Sequence, residues 1–437
     1  MNKIALVSLG CPKNLVDSEY MLGILLKQGF EIVSSSSKAD IILINTCAFI
    51  ESAQEESIDA ILDIVENKNN KKICVSGCLV SLFKNELFKR IPEIDAIIDP
   101  FNIEKIATVC KKLIRGKTKI ICTGENKKHK IKFRQRCFTG PVHSAYLKIA
   151  DGCNNRCSYC IIPQLRGKYR SRRMKDIIEE AKVLALAGCK EINLVAQDTT
   201  LYGTDIYNAN KLPELLEELS KIKKIRWIRL LYTHPAHYSD ELINTIATNK
   251  KICKYLDMPL QHCSDKILKA MGRRVNKKDI VTLVNKLRKT IPDLTLRTTF
   301  LVGFPKETNK EFNELLAFTQ DMQFDHVGVF TYSPQENTPS FNFKKRVHEK
   351  VSKSRREKLL SLQKNIAEKK NKLLKGKKVM VLIDKKINSR FSQGRREADA
   401  PDIDNIVNVK SKVKIGNFYK VKITKTSAYE LEGEIIE

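Results

Sequence analysis

Up to Arg115, apolar residues come in short unbroken runs separated by segments whose apolar positions lie three and four apart. The runs "IALVSL", "DIILIN" and "KKICVS" are each followed by such a segment. Unbroken runs of this length predict strands buried on both faces, and the intervening period predicts helices, so residues 1–115 read as an open parallel α/β sheet domain. From Gly116 the pattern fades: "GKTKIICTGENKKHKIKFRQR" is polar and basic, and Gly140-Pro141 closes it, which predicts a linker over 116–138. Six more runs follow, "AYLKIA", "EINLVA", "IRWIRLL", "KYLDMP", "LTLRTTFLV" and "HVGVFTY", alternating with helical segments such as 174–187 and 309–322. They predict a partial (β/α) barrel over 139–374, with its chemistry at the carboxyl ends of the strands. Over 375–437, short alternating strands broken by Gly and Asp predict a small OB-like β-barrel. The fold class is therefore α/β with a β-barrel tail.

A chain of 437 residues exceeds one ordinary core, which agrees with this division. No apolar run is long enough to cross a bilayer, and "IALVSL" is too short for a secretory signal, so a cytoplasmic protein without a membrane partner is expected. In that compartment the thirteen cysteines are better read as metal ligands, catalytic groups or small buried side chains than as a disulfide framework.

The net charge of +29 would attract a polyanion such as RNA, although a lysine-rich composition alone also accounts for it. Much of the excess is local. Residues 344–378 carry fifteen Lys/Arg against three Glu, with Leu359, Leu360, Ile366 and Leu373 at roughly helical spacing, which reads as a basic helix with one apolar stripe. The tail from 375 is milder, with fourteen Lys/Arg and nine Asp/Glu. Its Asp399, Asp402 and Asp404 form an acidic cluster expected to meet a basic partner surface.

Cysteine placement adds the chemistry. Cys11, Cys47 and Cys78 each follow a predicted strand, in the same phase, so the loops at one sheet edge would bring them together. A metal site explains three thiols in one phase better than three unrelated core residues do. Cys74 lies inside its strand and reads as a buried hydrophobe. Cys110, Cys122, Cys137, Cys189, Cys253 and Cys263 share no phase and receive no role. After the first strand of the central barrel stands "DGCNNRCSYC", in which Cys153, Cys157 and Cys160 have the spacing C-x3-C-x2-C. Three thiolates on one loop suit three irons of a cubane cluster with the fourth iron open, whereas a structural zinc requires a fourth protein ligand that the neighbouring sequence lacks.

With Tyr159 before its last cysteine, this motif resembles that of the radical S-adenosylmethionine enzymes. With Cys11, Cys47 and Cys78 added, nearly the whole chain resembles the methylthiotransferases of that superfamily, and the tail resembles their TRAM barrel. Those enzymes divide between a kind acting on tRNA adenosine and a kind acting on an aspartate of ribosomal protein S-twelve. "SLGCPKNLVDSE", "NTCAFIESAQEES", "YLDMPLQHCSDKILKAMGR" and "ADAPDID" resemble the second kind, and Phe49-Ile50-Glu51 stands where the tRNA enzymes usually carry an Arg. "SGCLVSLFKNEL" is looser than the usual third-cysteine segment, and Cys263 replaces a more usual small residue.

The resemblance implies two 4Fe-4S clusters, one on each cysteine trio, and S-adenosylmethionine at the open iron of Cys153, Cys157 and Cys160. It also implies ribosomal protein S-twelve as substrate, on the ribosome or small subunit, an electron donor such as flavodoxin or ferredoxin, and contact with ribosomal RNA. Candidate cofactor contacts lie at strand ends, at Gln197, Asp198, Gln261 and Gly303, with Tyr159 bordering the adenine. Each has a plainer reading: a helix cap for Gln197 and Asp198, a loop side chain for Gln261, a turn for Gly303, core for Tyr159. His234, His237 and His262 read as ordinary polar side chains. A tRNA methylthiotransferase and a noncatalytic zinc- or RNA-binding protein are the competing readings.

Overall fold

The computed structural model describes residues 2–124 and 136–436, so part of the stretch read as a linker, 125–135, lies outside the described residues. The amino-terminal sheet has six parallel strands in the order Glu31–Val33, Lys3–Ser8, Ile41–Thr46, Lys72–Gly77, Ala96–Ile98, Ile120–Cys122. Ile41–Thr46 is buried along its whole length, as its unbroken apolar run requires. The helices Pro12–Lys27 and Ile106–Ile114 cover one face and Glu51–Glu66 and Cys78–Phe83 the other, so two apolar clusters sandwich the sheet. Three of its strands are only three residues long, too short to show in the hydrophobic pattern. One of them, Ile120–Cys122, falls inside the polar stretch after Gly116.

The central sheet also has six parallel strands, in the order His326–Thr331, Thr295–Val302, Ile252–Asp257, Trp227–Leu230, Glu191–Val195, Ser144–Lys148. The first and last of these are edges, so this is an open, partial barrel, and each strand's carboxyl end leads into a loop on the same side. The tail closes into a five-stranded barrel of Lys378–Lys386, Ser392–Arg396, Ile406–Val409, Glu430–Ile435 and Phe418–Thr426.

The basic segment forms the helix Glu349–Lys372, which packs on the edge strand His326–Thr331 through Leu359 and Ile366. Its apolar stripe is shorter than the spacing suggested, because Leu373 lies beyond the helix and is 70% exposed. Lys353, Lys358, Lys364 and Lys369 face outward.

The acidic cluster of the tail differs from expectation. Asp399 is fully buried and paired with Arg396 at 2.7 Å. The Asp404 carboxylate accepts a hydrogen bond from the Tyr255 hydroxyl at 2.7 Å and lies 3.3 Å from Arg297 Nε. Only Asp402 is exposed. These carboxylates do not form an open docking surface: two of the three neutralise cations at the junction of barrel and central domain, where leaving either charge unpaired would be costly. At the same junction Glu191, fully buried, binds Arg229 at 2.9 Å and Arg395 at 2.7 Å.

Candidate active site

The three loops bearing Cys11, Cys47 and Cys78 leave adjacent strands of the amino-terminal sheet at the same edge. Gly10, at φ +84°, is what lets the first two loops meet: a Cβ there would stand 2.6 Å from Cys47 Cβ and 2.9 Å from its Sγ. Asn14 ties these loops together, its Nδ2 donating to the carbonyls of Leu9 at 3.1 Å and Thr46 at 2.8 Å. Cys78 opens the helix Cys78–Phe83 on the next loop. Burial pushes the Cys78 thiol up to about 11; Arg166 opposes this, while Cys11 and Cys47 add to it. Cys47 is raised by burial too, with Cys11 adding to the effect. Cys78 Sγ lies 3.9 Å from Asn14 Oδ1, so the asparagine that ties the first two loops also meets the third. Cys74, by contrast, is fully buried within its strand, as expected of a core residue.

Cys153, Cys157 and Cys160 occupy the loop between the short strand Ala150–Asp151 and the helix Ile162–Arg166, just past the carboxyl end of Ser144–Lys148. The loop is pinned at both sides: Cys153 N donates to Gly167 O at 3.1 Å, and Ser158 N to Met271 O at 2.9 Å. Burial pushes Cys153 up to about 11 and Cys160 up to about 12, and the neighbouring Cys157 raises both further. Arg273 opposes these shifts, with Nη1 3.9 Å from Cys157 Sγ. Thiols so placed are poor thiolates by themselves, because burial and mutual repulsion both disfavour the anion. A cationic metal group reverses that balance, so the donor set fits a cluster.

The other sequence candidates surround this loop in different ways. Gln197 Nε2 donates to Asp151 at 2.8 Å, two residues before Cys153, and its Oε1 is buried without a partner among the described residues. Asp198 is saturated: one carboxylate oxygen caps Thr200 N at 3.1 Å, and the other accepts from Asn155 Nδ2 at 2.6 Å and shares a 2.9 Å hydrogen bond with His237. It therefore caps a short helix and also grips the cysteine loop. Tyr159 packs edge-on against Phe304, ring centres 6.4 Å apart, among Ile267 and Met271. Gln261, at φ +74°, is held by its backbone to Thr299 and Leu301 on the neighbouring strand. Gly303, at φ +75°, runs under the basic helix, where a Cβ would meet Ser352 Oγ at 2.0 Å, so close packing accounts for the glycine.

Several residues converge on the same region that the sequence reading either did not single out, Arg166 and Lys148, or read as ordinary polar side chains, His234 and His237. Arg166 is fully enclosed: its Nε donates to Cys78 Sγ at 3.3 Å, and its Nη1 to Asp17 at 2.5 Å and Asp151 at 3.3 Å. Lys148 shares both carboxylates. The rings of His234 and His237 stack 4.7 Å apart beside Asp198, and burial together with Arg273 pushes His234 down to about 2, so it is neutral. Their one available signal was position, since all lie within a few residues of a cysteine motif or a strand end. His262 is fully buried, 3.9 Å from Glu307, and is pushed down to about 3 by that burial.

Comparison with known proteins agrees with this geometry. Residues 3–99 match the uncharacterized protein family UPF0004, residues 147–319 the radical SAM superfamily, and residues 376–436 the TRAM domain. The chain is 48% identical to the ribosomal protein uS12 methylthiotransferase RimO of Clostridium botulinum, covering 99% of this chain and 98% of that protein. It is 46% identical to the protein of the same name from Acetivibrio thermocellus, covering 99% and 98%. Among solved structures, the radical S-adenosylmethionine methyltransferase TsrM of Kitasatospora setae aligns with a TM-score of 0.60 at 13% identity, covering 78% of this chain and 75% of that one, a likeness of fold. The radical SAM domain implies a 4Fe-4S cluster and S-adenosylmethionine as cofactors. With relatives this similar over nearly its full length, the chain belongs to the RimO family of radical SAM methylthiotransferases.

Proposed function

We propose that this protein attaches a methylthio group to the β-carbon of an aspartate in ribosomal protein uS12. In this reading Cys153, Cys157 and Cys160 hold one 4Fe-4S cluster beside which S-adenosylmethionine binds, and Cys11, Cys47 and Cys78 hold a second. The observation that carries it is the joining of the two trios through Arg166, which contacts Cys78 on one side and Asp151, two residues before Cys153, on the other. The relatives' name supplies the substrate.

An aspartate β-carbon has no leaving group and a weakly acidic hydrogen, so the bound cofactors supply what side chains lack: hydrogen-atom abstraction, sulfur and a methyl group. The chain's own residues bind, orient and exclude water. Gln197 Oε1, buried and unpartnered among the described residues, offers an acceptor for the amino group of S-adenosylmethionine. Asp198 and Asn155 fix the cysteine loop. Tyr159 and Phe304 form the apolar wall beside it.

The electron donor is of the flavodoxin or ferredoxin class, since the cluster at Cys153 must be reduced from outside. The TRAM barrel and the exposed lysines of Glu349–Lys372 suit contact with ribosomal RNA on the small subunit. The test is mass spectrometry of uS12 and of digested tRNA from cells with and without the gene. A methylthio increment on a uS12 aspartate that disappears in the deletion is expected. Loss of methylthioadenosine from tRNA with uS12 unchanged would overturn the reading.

A further inference from the structure

The buried cations around the two cysteine loops are almost all matched by carboxylates. Arg166 and Lys148 share Asp17 and Asp151. Arg297 lies 3.0 Å from Asp257 and 3.3 Å from Asp404. Arg273 belongs to the radical loop, donating to Pro259 O at 2.6 Å beside Cys157.

Lys13 is different. It is 7% exposed, and no carboxylate among the described residues pairs with its ammonium, which instead sits 3.3 Å from the centre of the Tyr232 ring. A cation over an aromatic face keeps its charge available to an incoming anion, because the ring does not neutralise it. The local structure does not favour a lysine either. Lys13 lies in the first turn of the helix Pro12–Lys27, whose amino-terminal end is already positive, and no acidic residue in that turn offsets it. A residue that breaks the local rule and stays buried beside Tyr232 and the Cys11 thiol, with no carboxylate partner among the described residues, is expected where function requires it.

Its position gives the anion an identity. Lys13 stands two residues after Cys11, on the amino-terminal domain, while Tyr232 follows the strand Trp227–Leu230 of the central sheet. The ammonium thus lies beside the Cys11 loop, where the amino-terminal domain meets the carboxyl end of a central-sheet strand. We propose that Lys13 binds the side-chain carboxylate of the substrate aspartate and thereby holds the adjacent β-carbon between the two sites. This rests on the protein-aspartate reading above. The β-carbon is bonded directly to the carboxylate carbon, so one ion pair positions the reacting atom. A substrate without a carboxylate leaves the buried cation unmatched, which makes Lys13 a specificity determinant as well.

The test uses the full-length reconstituted enzyme and uS12 carrying either aspartate or asparagine at the target position, with affinities measured for wild type, Lys13→Met and Lys13→Arg. Wild type is expected to prefer the aspartate form by roughly tenfold or more, the scale of a charge-assisted hydrogen bond. Lys13→Met is expected to bind both forms alike, and Lys13→Arg to recover part of the preference. Iron content and cluster absorption are read on the same samples. An aspartate preference kept by Lys13→Met overturns the inference, and so does weakened S-adenosylmethionine binding with the preference intact, which would assign the lysine to the methionine carboxylate. Loss of the amino-terminal cluster in both variants also overturns it, in favour of a role in cluster assembly. Wild-type enzyme that leaves the uS12 aspartate unmodified refutes the substrate reading itself, a result that does not involve Lys13.

Discussion

Arg166 Nε lies 3.3 Å from Cys78 Sγ, so the helix that follows the C-x3-C-x2-C loop reaches a thiol carried by the other domain. The same guanidinium binds Asp17 of the amino-terminal domain and Asp151 of the central one. A planar fork with several donors is suited to this task in a way a lysine is not. Arg166 thus links the two cysteine loops directly, with Lys148 bridging the same two carboxylates beside it.

Removing that charge leaves Asp17 and Asp151 with Lys148 alone. Arg166→Gln is expected to cost about 3–5 kcal/mol, the scale of a broken buried ion pair, read as a fall in the denaturation midpoint. Arg166→Lys is expected to recover less than half. A midpoint unchanged in Arg166→Gln would refute the bridging role.

The two trios are separable by metal analysis. Anaerobically reconstituted wild type is expected to hold about eight irons, and Cys157→Ala and Cys47→Ala about four each. Cys74→Ala, a change inside a buried strand, is expected to keep the full complement. Stoichiometric zinc without iron-sulfur absorption would contradict the cluster assignment. Cys47→Ala is further expected to retain some reductive cleavage of S-adenosylmethionine, because its trio lies in the other domain.

Glu191 fastens the tail barrel to the central sheet and makes that attachment acid-sensitive. Burial alone would raise its carboxyl, but Arg395 and Arg229 outweigh burial and hold it down to about 2, below the ordinary 4.5. The unfolded chain thus takes up the proton first as pH falls, so the stabilisation is complete above 4.5 and is lost on the way down through about 2. Glu191→Gln is expected to lower the thermal midpoint at neutral pH and to flatten its decline across that window. An acid profile identical to wild type would contradict this.

Gly303 is expected to tolerate no side chain. Gly303→Ala combines a φ of +75° with contacts of 2.0 Å to Ser352 Oγ and 2.6 Å to its Cβ. A loss of about 1–3 kcal/mol follows from such overpacking. Ser352→Ala removes only the nearer atom, so the double variant should recover a part of the loss in the same denaturation measurement.

The strand and helix alternation, the cysteine phases and the barrel-like tail were legible along the chain because each depends on residues adjacent or a few positions apart. An unbroken apolar run such as "DIILIN" needs burial on both faces wherever the rest of the chain goes, and three thiols in one loop remain together in any fold. Strands of three residues, as at Ile120–Cys122, carry too little pattern to be seen. The partners of charged residues were not legible at all. Asp399 and Asp404 read as surface acids, yet they are enclosed by Arg396, Tyr255 and Arg297. Lys13 and Arg166 read as two among seventy-nine lysines and arginines. A charge looks the same in sequence whether it faces water or a counter-ion from another domain, and packing across long chain separations decides between them. That packing matched Arg166 to Asp17 and Asp151 and left Lys13 against Tyr232.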